Sequence, residues 1–462
     1  MVTGDMGTLM PISCVPVLPG DTMQGHTSAL IRLSPLNTPV MHPVQARVHS
    51  FFVPNRLVWD GWEDFITGGN GTDPSPSLPT FLTTETENRV HNYMGVPPIP
   101  GVEVSQLPVR AYARIFNEYY ADQDLITPQP EDSTEPRKVA WEKDYFTTAR
   151  PWSQKGPQVT LPIGNQAPIH IGSGFESKPS IYSDFENDQR FISPAGLECE
   201  VGAEDVAALD INKLYADLSQ ADTVNVNDFR AAFSIQRYQE ARARYGSRFT
   251  EYLRYLGVNP SDARIQRPEF LGGGSTRLNF SEVLQTSPNA NDEDGVGDLY
   301  GHGIAGLRSN KWRKFFEEHG YVITLLSVRP KSIYENGIPR EWLKKTKEDF
   351  YQKELVNLGQ QEVLKAELYA EPNGEVFGYQ DRYHEYRSVP SQVANEFRNT
   401  LNSWHLARTL TDTTTLNGAF INCLPSKRIF QNQSTDHCLW IMANNHLVAR
   451  RLVPKRAYPR IL

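Results

Sequence analysis

VQARVHSFFV (Val44–Val53) begins with apolar residues at every second position, Val44, Ala46 and Val48, before Phe51, Phe52 and Val53 close the run. Period-two spacing gathers one set of side chains on one face of a β-strand. A second segment, YVITLLSV (Tyr321–Val328), is apolar almost throughout and is the clearest buried strand of the chain. Upstream of Val44, the first sixty residues read as β-structure broken by turns, with Pro16-Val17-Leu18-Pro19-Gly20-Asp21 supplying turn chemistry. At the other end, Gly418–Leu424 and Cys438–Val453 read as strands, and Asn444-Asn445 is expected to supply the positive φ values of a two-residue hairpin turn.

Between these ends the pattern changes. Tyr112, Ile115, Phe116 and Tyr119 recur at helical spacing over Arg110–Tyr120. Gly68–Pro79 reads as an exposed loop, and residues 151–202 as a long surface insertion. The best helix runs from about Asn227, a plausible N-cap, to Leu256, with Phe229, Ala232 and Phe233 on one face. Glu341–Ala370 reads as a charged helical stretch, and Pro390-Ser391 opens a last helix carrying Phe397, Leu401 and Trp404. Strands at both ends with helix-bearing excursions between exclude a regular alternation of strand and helix. They favour a mainly β fold, an antiparallel barrel or sandwich with insertions.

Composition narrows the function. A chain of 462 residues with 39% hydrophobic and 22% charged residues folds around a core. Its 33 prolines are spread along the chain, which suits long excursions tied to a compact centre. The formal charge of −8 is not that of a protein that coats nucleic acid by itself. Cys14, Cys199, Cys423 and Cys438 lack the short spacings of zinc or redox motifs and are expected to be reduced thiols. The opening MVTGDMGTLMPISC has no basic residue ahead of an apolar stretch, and no apolar run approaches a membrane span, so a soluble cytosolic product is expected.

Candidate chemistry is sparse. Gly301-His302-Gly303-Ile304-Ala305-Gly306 fits the three-glycine dinucleotide pattern but follows an acidic loop instead of a strand, so a plain loop is the better reading. Gly272-Gly273-Gly274 lacks the Gly-Lys-Ser/Thr of a phosphate loop and reads as a turn. Asn291, Asp292, Glu293, Asp294 and Asp298 resemble a calcium loop in composition only. His384-Glu385 lacks a second histidine, and no serine sits in a nucleophile elbow, so neither a metal nor a cofactor nor a catalytic set is expected. Two basic segments remain. Arg230, Arg237 and Arg244 lie seven apart on one helical stripe, with Arg248 expected one turn further, and the tail carries Arg450, Arg451, Lys455, Arg456 and Arg460 with Tyr458 and the nearby Trp440. Each reads either as phosphate contact or as a solvated, inter-subunit face. Trp59, Trp62, Phe65, Tyr379, Tyr383 and Tyr386, in loop-like segments, are candidate interface anchors.

Several stretches together resemble one family. GDMGTLMPISCVPVLPGDT near the start, VHSFFVPNRLVWDGWEDFITG (Val48–Gly68), LPVRAYARIFNEYYADQDL (Leu107–Leu125) and FRAAFSIQRYQEARARYGSRFTEYL (Phe229–Leu253) are similar to the major capsid proteins of the microviruses, small tailless single-stranded-DNA bacteriophages. DARIQRPEFLGGG, SEVLQTS, GHGIAG, EEHGYVITLLSVRP and FGYQDRYHEYRSVPSQV (Phe377–Val393) continue the likeness in order. The resemblance implies an eight-stranded antiparallel jelly roll over residues 1–462, with residues roughly 68–320 and 331–417 as insertions. It implies sixty copies, through pentamers, in a T=1 virion shell around circular single-stranded DNA, made in the bacterial cytoplasm. Implied partners are a small basic DNA-binding protein, a minor pilot protein and a host surface receptor. The stretch between Pro151 and Asn227 is short and poor in apolar residues beside the gokushovirus branch, which implies a reduced three-fold protrusion. The alternatives are a single-stranded nucleic-acid-binding module, expected to run as a small species, and an enzyme using the glycine loop.

Overall fold

The computed structural model describes residues 1–68, 76–157, 159, 169–170, 180–183, 188–195, 198–203, 215–216, 226–284, 286, 297–370, 374–434 and 436–453. The chain divides into two compact units, one of Met1–Ser153 with Arg242–Leu462, the other Gln154–Ala241.

The larger unit is built on two antiparallel sheets whose strands, in chain order, are β1 (Val2–Gly4), β2 (Met10–Val17), β3 (Thr22–Leu33), β4 (Val44–Pro54), β5 (Glu269–Arg277), β6 (Asn279–Leu284), β7 (Leu299–Arg308), β8 (Trp312–Phe315), β9 (Gly320–Pro330) and β10 (Leu439–Arg450). A four-stranded sheet has the order β5-β4-β9-β2; a six-stranded sheet has the order β1-β10-β3-β7-β6, with β8 also pairing β3. The two segments that decided the sequence reading are neighbours: β4 and β9 pair without a bulge from Pro54 opposite Gly320 to Val44 opposite Pro330.

Alternation explains the packing. Ile31 and Leu33 of β3, Val44, Ala46 and Val48 of β4, Ala305 and Leu307 of β7, Leu326 and Val328 of β9 and Ile441 of β10 share one buried cluster, so it fills the space between the sheets. The opposite parity of the four-stranded sheet is also apolar. Phe51, Val53, Ile323 and Leu325 pack with Leu107, Ala111, Tyr112, Ile115 and Phe116 of helix α1 (Leu107–Tyr119). Burying each such large side chain stabilises by about 1.5–3 kcal/mol. The Tyr112 hydroxyl donates to Leu9 O (2.8 Å) and accepts from Arg137 N (2.9 Å), so its burial leaves no polar atom unmatched.

In the smaller unit, Ser180–Ser183, Asp188–Ala195 and Glu198–Ala203 form an antiparallel three-stranded sheet, and Ile169–His170 pairs Tyr215–Ala216. Helix α2 (Val226–Tyr245) starts within it.

Several local expectations are corrected. The helix read as continuous to Leu256 breaks at Gly246, whose φ of +91° is left-handed, and resumes as α3 (Phe249–Tyr255). Gly301–Gly306 is no loop but lies within β7; a Cβ at Gly303 would sit 2.2 Å from Leu33 Cδ1, so the glycine follows from close packing. Gly272–Gly274 lies within β5, where a Cβ at Gly273 would meet Val48 O at 2.6 Å. Asn444 and Asn445 form no turn. They pair with Ser28 and Thr27 inside β10, and the Asn445 amide accepts from Thr27 Oγ1 (2.7 Å) and donates to Ile12 O (3.1 Å). Gly418–Ile421 is a short helix capped by Asn417, whose side chain accepts from Phe420 N (3.0 Å). The helices read over Glu341–Ala370 and beyond Pro390 are single 3₁₀ turns and one strand, Gln360–Leu364. There Asp349 accepts from Lys345 N and Thr346 N, and Glu367 from Leu364 N, so each carboxylate caps the start of its own short turn. Strands β5 to β8 lie inside the stretch read as insertion.

Candidate functional site

Where the four-stranded sheet is covered on both sides, the far face of the six-stranded sheet is open. Alternation directs Gln24, His26, Ser28, Leu30 and Arg32 of β3 outward, beside Trp440, Met442, Asn444, His446, Val448 and Arg450 of β10. On the other flank stand Tyr300, His302, Ile304, Gly306 and Arg308 of β7, Asn279, Ser281 and Val283 of β6, and Arg313 and Phe315 of β8. Trp440, Met442 and Val448 are 48%, 56% and 47% exposed.

None of these outward positions holds Asp or Glu. Among the described residues, Asp21, Asp298, Glu317 and Asp436 lie beyond the strand ends, and Glu282 of β6 stands at the opposite parity. Arg32, Arg308, Arg313 and Arg450 have no ion pair among the described residues, whereas Arg56, Arg89, Arg110, Arg267 and Arg340 each hold a carboxylate. Arg32 lies opposite Trp440 on one side and Ile304 on the other. The His26 and His446 rings stack at 5.0 Å. Partial burial, with Arg308, the His446 ring and Lys311 close by, pushes the His26 imidazole below its ordinary range.

The residues singled out from sequence fall in several places. Arg450 ends the open face opposite Thr22, and Arg451 pairs with Asp21 (3.0 Å). Lys455, Arg456, Tyr458 and Arg460 lie outside the described residues. Arg230 and Arg237 are exposed on α2, and Arg244 pairs with Asp381 (3.0 Å). Arg248 does not extend that stripe: past the Gly246 break it caps α3, and its guanidinium donates to Asn117 O (2.7 Å) and Ala121 O (2.8 Å) at the end of α1. Sequence reasoning missed Arg32, Arg308 and Arg313; the available signal was a basic residue at the polar parity of each strand.

Among the aromatic candidates, Trp59, Trp62 and Phe65 pack on one another, with centroids 5.4–6.5 Å apart. Tyr383 is buried within its own unit, donating to Phe350 O (3.1 Å) and accepting from Gln352 N (3.1 Å). Tyr386 is exposed under Lys344 Nζ, 4.1 Å from its ring centroid, and the Tyr379 backbone bonds Arg150.

A cleft of about 510 Å³ lies against β4 and α1, lined by His49, Tyr119, Tyr120, Asp262 and Arg267. Four of its polar groups are committed to one another. His49 Nδ1 bonds Tyr120 Oη (2.7 Å), and Arg267 pairs with Asp262 (2.6 Å) while stacking over Tyr119. Burial, with help from Arg47 and Arg329, holds His49 down at about 4 and therefore neutral. No group of His, Cys, Asp or Glu suited to a metal ion occurs among the described residues, and Asn291–Asp294 lie outside them.

Stacked antiparallel sheets, one of them with an open cationic face, define a β-rich protein. The chain belongs to the phage capsid proteins of the microviruses: a family model described as capsid protein (F protein) matches residues 1–457. Capsid protein VP1 of Bdellovibrio phage phiMH2K is 36% identical over 459 residues, covering 89% of this chain and 84% of that protein. VP1 of Chlamydia phage 1 is 32% identical over 519 residues (91% and 87%), and VP1 of Spiroplasma virus 4 is 30% identical over 456 residues (87% and 82%). The chain is a structural major capsid protein and not an enzyme.

Proposed function

We propose that this chain is the repeating subunit of a T=1 icosahedral shell, sixty copies enclosing a circular single-stranded DNA genome. The observation that carries the reading is the match to capsid proteins along residues 1–457, with most of each relative's length covered. The two sheets are read as a jelly roll. Consecutive strands β2, β3 and β4 alternate between them, and β5 passes through Leu278 into β6 of the other sheet. Without the short β1 and β8, the six-stranded sheet keeps four strands beside the four of its partner, the eight of a jelly roll. Strands from 1–54, 269–330 and 439–450 then make one shell domain, and the intervening stretches are insertions that meet neighbouring subunits.

Exposed apolar side chains support contact between copies. Trp342 is 81% and Val389 91% exposed, in the segment of 3₁₀ turns that also carries Tyr386. Trp59, Trp62, Phe65 and Tyr379 are proposed to anchor the same kind of interface, with Tyr383 shaping its segment from within. Arg230 and Arg237, and the tail beyond Arg450, are proposed genome contacts. A small basic DNA-binding protein, a minor pilot protein and a host receptor complete the proposed partners, with assembly in the bacterial cytoplasm. Electron imaging and particle mass of the purified chain test the reading: closed sixty-copy particles holding nuclease-protected DNA are expected, and a small soluble species alone overturns it.

A further inference from the structure

The geometry points to the open face of the six-stranded sheet as the wall on which single-stranded nucleic acid lies; this rests on the shell reading above and names the surface that meets the genome. Three observations converge on that occupant. The face is cationic without compensation, since Arg32, Arg308, Arg313 and Arg450 stand on strands whose outward positions hold no acid, in a chain of net charge −8. A polyanion is the complement of such a surface. The charges are interleaved with flat apolar groups, Trp440 beside Arg32 and Phe315 beside Arg313, which suits exposed bases that stack while phosphates meet guanidinium groups.

Finally, the face runs directly into the basic tail. Arg450 is the last residue of β10, and in sequence it is followed by Arg451, Lys455 and Arg456. A pleated face spaces same-side residues about 6.8 Å apart along a strand and about 4.8 Å between strands, so its donors form a grid and not a groove. Such a grid takes a strand in many directions and reads no base edges, so binding is sequence-tolerant. A basic protein would bring no matching negative charge, and a second copy of this chain docking through the same face would set arginine against arginine.

The test replaces four residues together, Arg32→Gln, Arg308→Gln, Arg313→Gln and Arg450→Gln, in the full chain. Since these side chains bond nothing among the described residues, closed particles are expected with retained yield but reduced, salt-labile DNA content. Titration of the unassembled subunit with a thirty-nucleotide oligo-dT should show affinity weakened roughly tenfold or more and a log–log salt slope shallower by about three, at about 0.7 per lost phosphate contact. Trp440→Leu should weaken binding roughly fivefold with the slope unchanged. Normal particles with full DNA content and unchanged oligonucleotide affinity in the Gln variant overturn the inference. If that variant does not fold, ultraviolet cross-linking of unaltered particles decides: nucleotide adducts on peptides spanning 299–315 or 439–450 support the face, and adducts confined to other peptides overturn it. If the unaltered chain forms no closed particle, the shell reading fails, while the oligonucleotide titration still judges the face.

Discussion

The four-stranded and six-stranded sheets share one core, and they differ in what lies on their far sides. At the second parity β4 and β9 are apolar where α1 covers them, at Phe51, Val53, Ile323 and Leu325; the outward parity of β3, β7 and β10 mixes basic, polar and apolar side chains in the open. A strand buried on both faces has its residues chosen by packing. A strand buried on one face has half its positions released from that constraint, and here the released positions carry arginine, histidine and tryptophan without a single acid. The contrast separates stability from function: substitutions in the covered sheet should unfold the subunit, and substitutions on the open face should leave it folded.

The largest effect expected is Phe51→Ala. It removes a buried ring packed on Tyr119 and Phe270 and should destabilise the subunit by about 3–5 kcal/mol in denaturant unfolding. An effect below about 1 kcal/mol would show that α1 does not seal this face.

Acid comes next. His42 and His49 are both held down at about 4 by burial, against an ordinary imidazole near 6.5. Below 6.5 the unfolded chain takes up protons that the folded one refuses, so stability falls as pH drops from 6.5 toward 4. The slope should reach about 1.4 kcal/mol per pH unit for each histidine. Unfolding midpoints measured across this window should be flatter for His49→Gln than for the unaltered chain.

Arg248→Ala is expected to cost about 1–3 kcal/mol, because it strips two carbonyls at the end of α1 of their donor. Thermal unfolding checks this, and an unchanged transition would return Arg248 to the candidates for phosphate contact. Smallest of all, Val448→Thr on the open face should change stability by less than about 0.5 kcal/mol in the same assay.

The sequence was most readable where packing dictates residue type. Val44–Val53, Tyr321–Val328 and Arg110–Tyr120 could be assigned from periodicity because a strand between two layers and a helix against a sheet leave little freedom. It misled where tertiary contact overrides a local signal. The glycines of β7 and β5 looked like loop and turn but make room for Leu33 and for the Val48 carbonyl, and the turn-forming pair Asn444-Asn445 is held extended by partners on β3 and β2. The charged stretch after Glu341 has helical composition, yet it forms separate 3₁₀ turns, two of them capped at their own start by a carboxylate. Of the open face, only Trp440 and Arg450 stood out, since they lie near a visibly basic tail. Arg308 and Arg313, on consecutive strands, are far in sequence from Arg32 and Arg450, and only the pairing of β3 with β7, β8 and β10 brings them together.

The difference between the sheets is tested most directly by an icosahedral reconstruction of DNA-filled particles at side-chain resolution. The open face should line the lumen, with Arg32, Arg308, Arg313 and Trp440 against density for nucleic acid, while α1 and the four-stranded sheet lie on the far side of the shared core. Finding that face on the outer surface, or sealed against a neighbouring subunit, would contradict the genome-facing assignment.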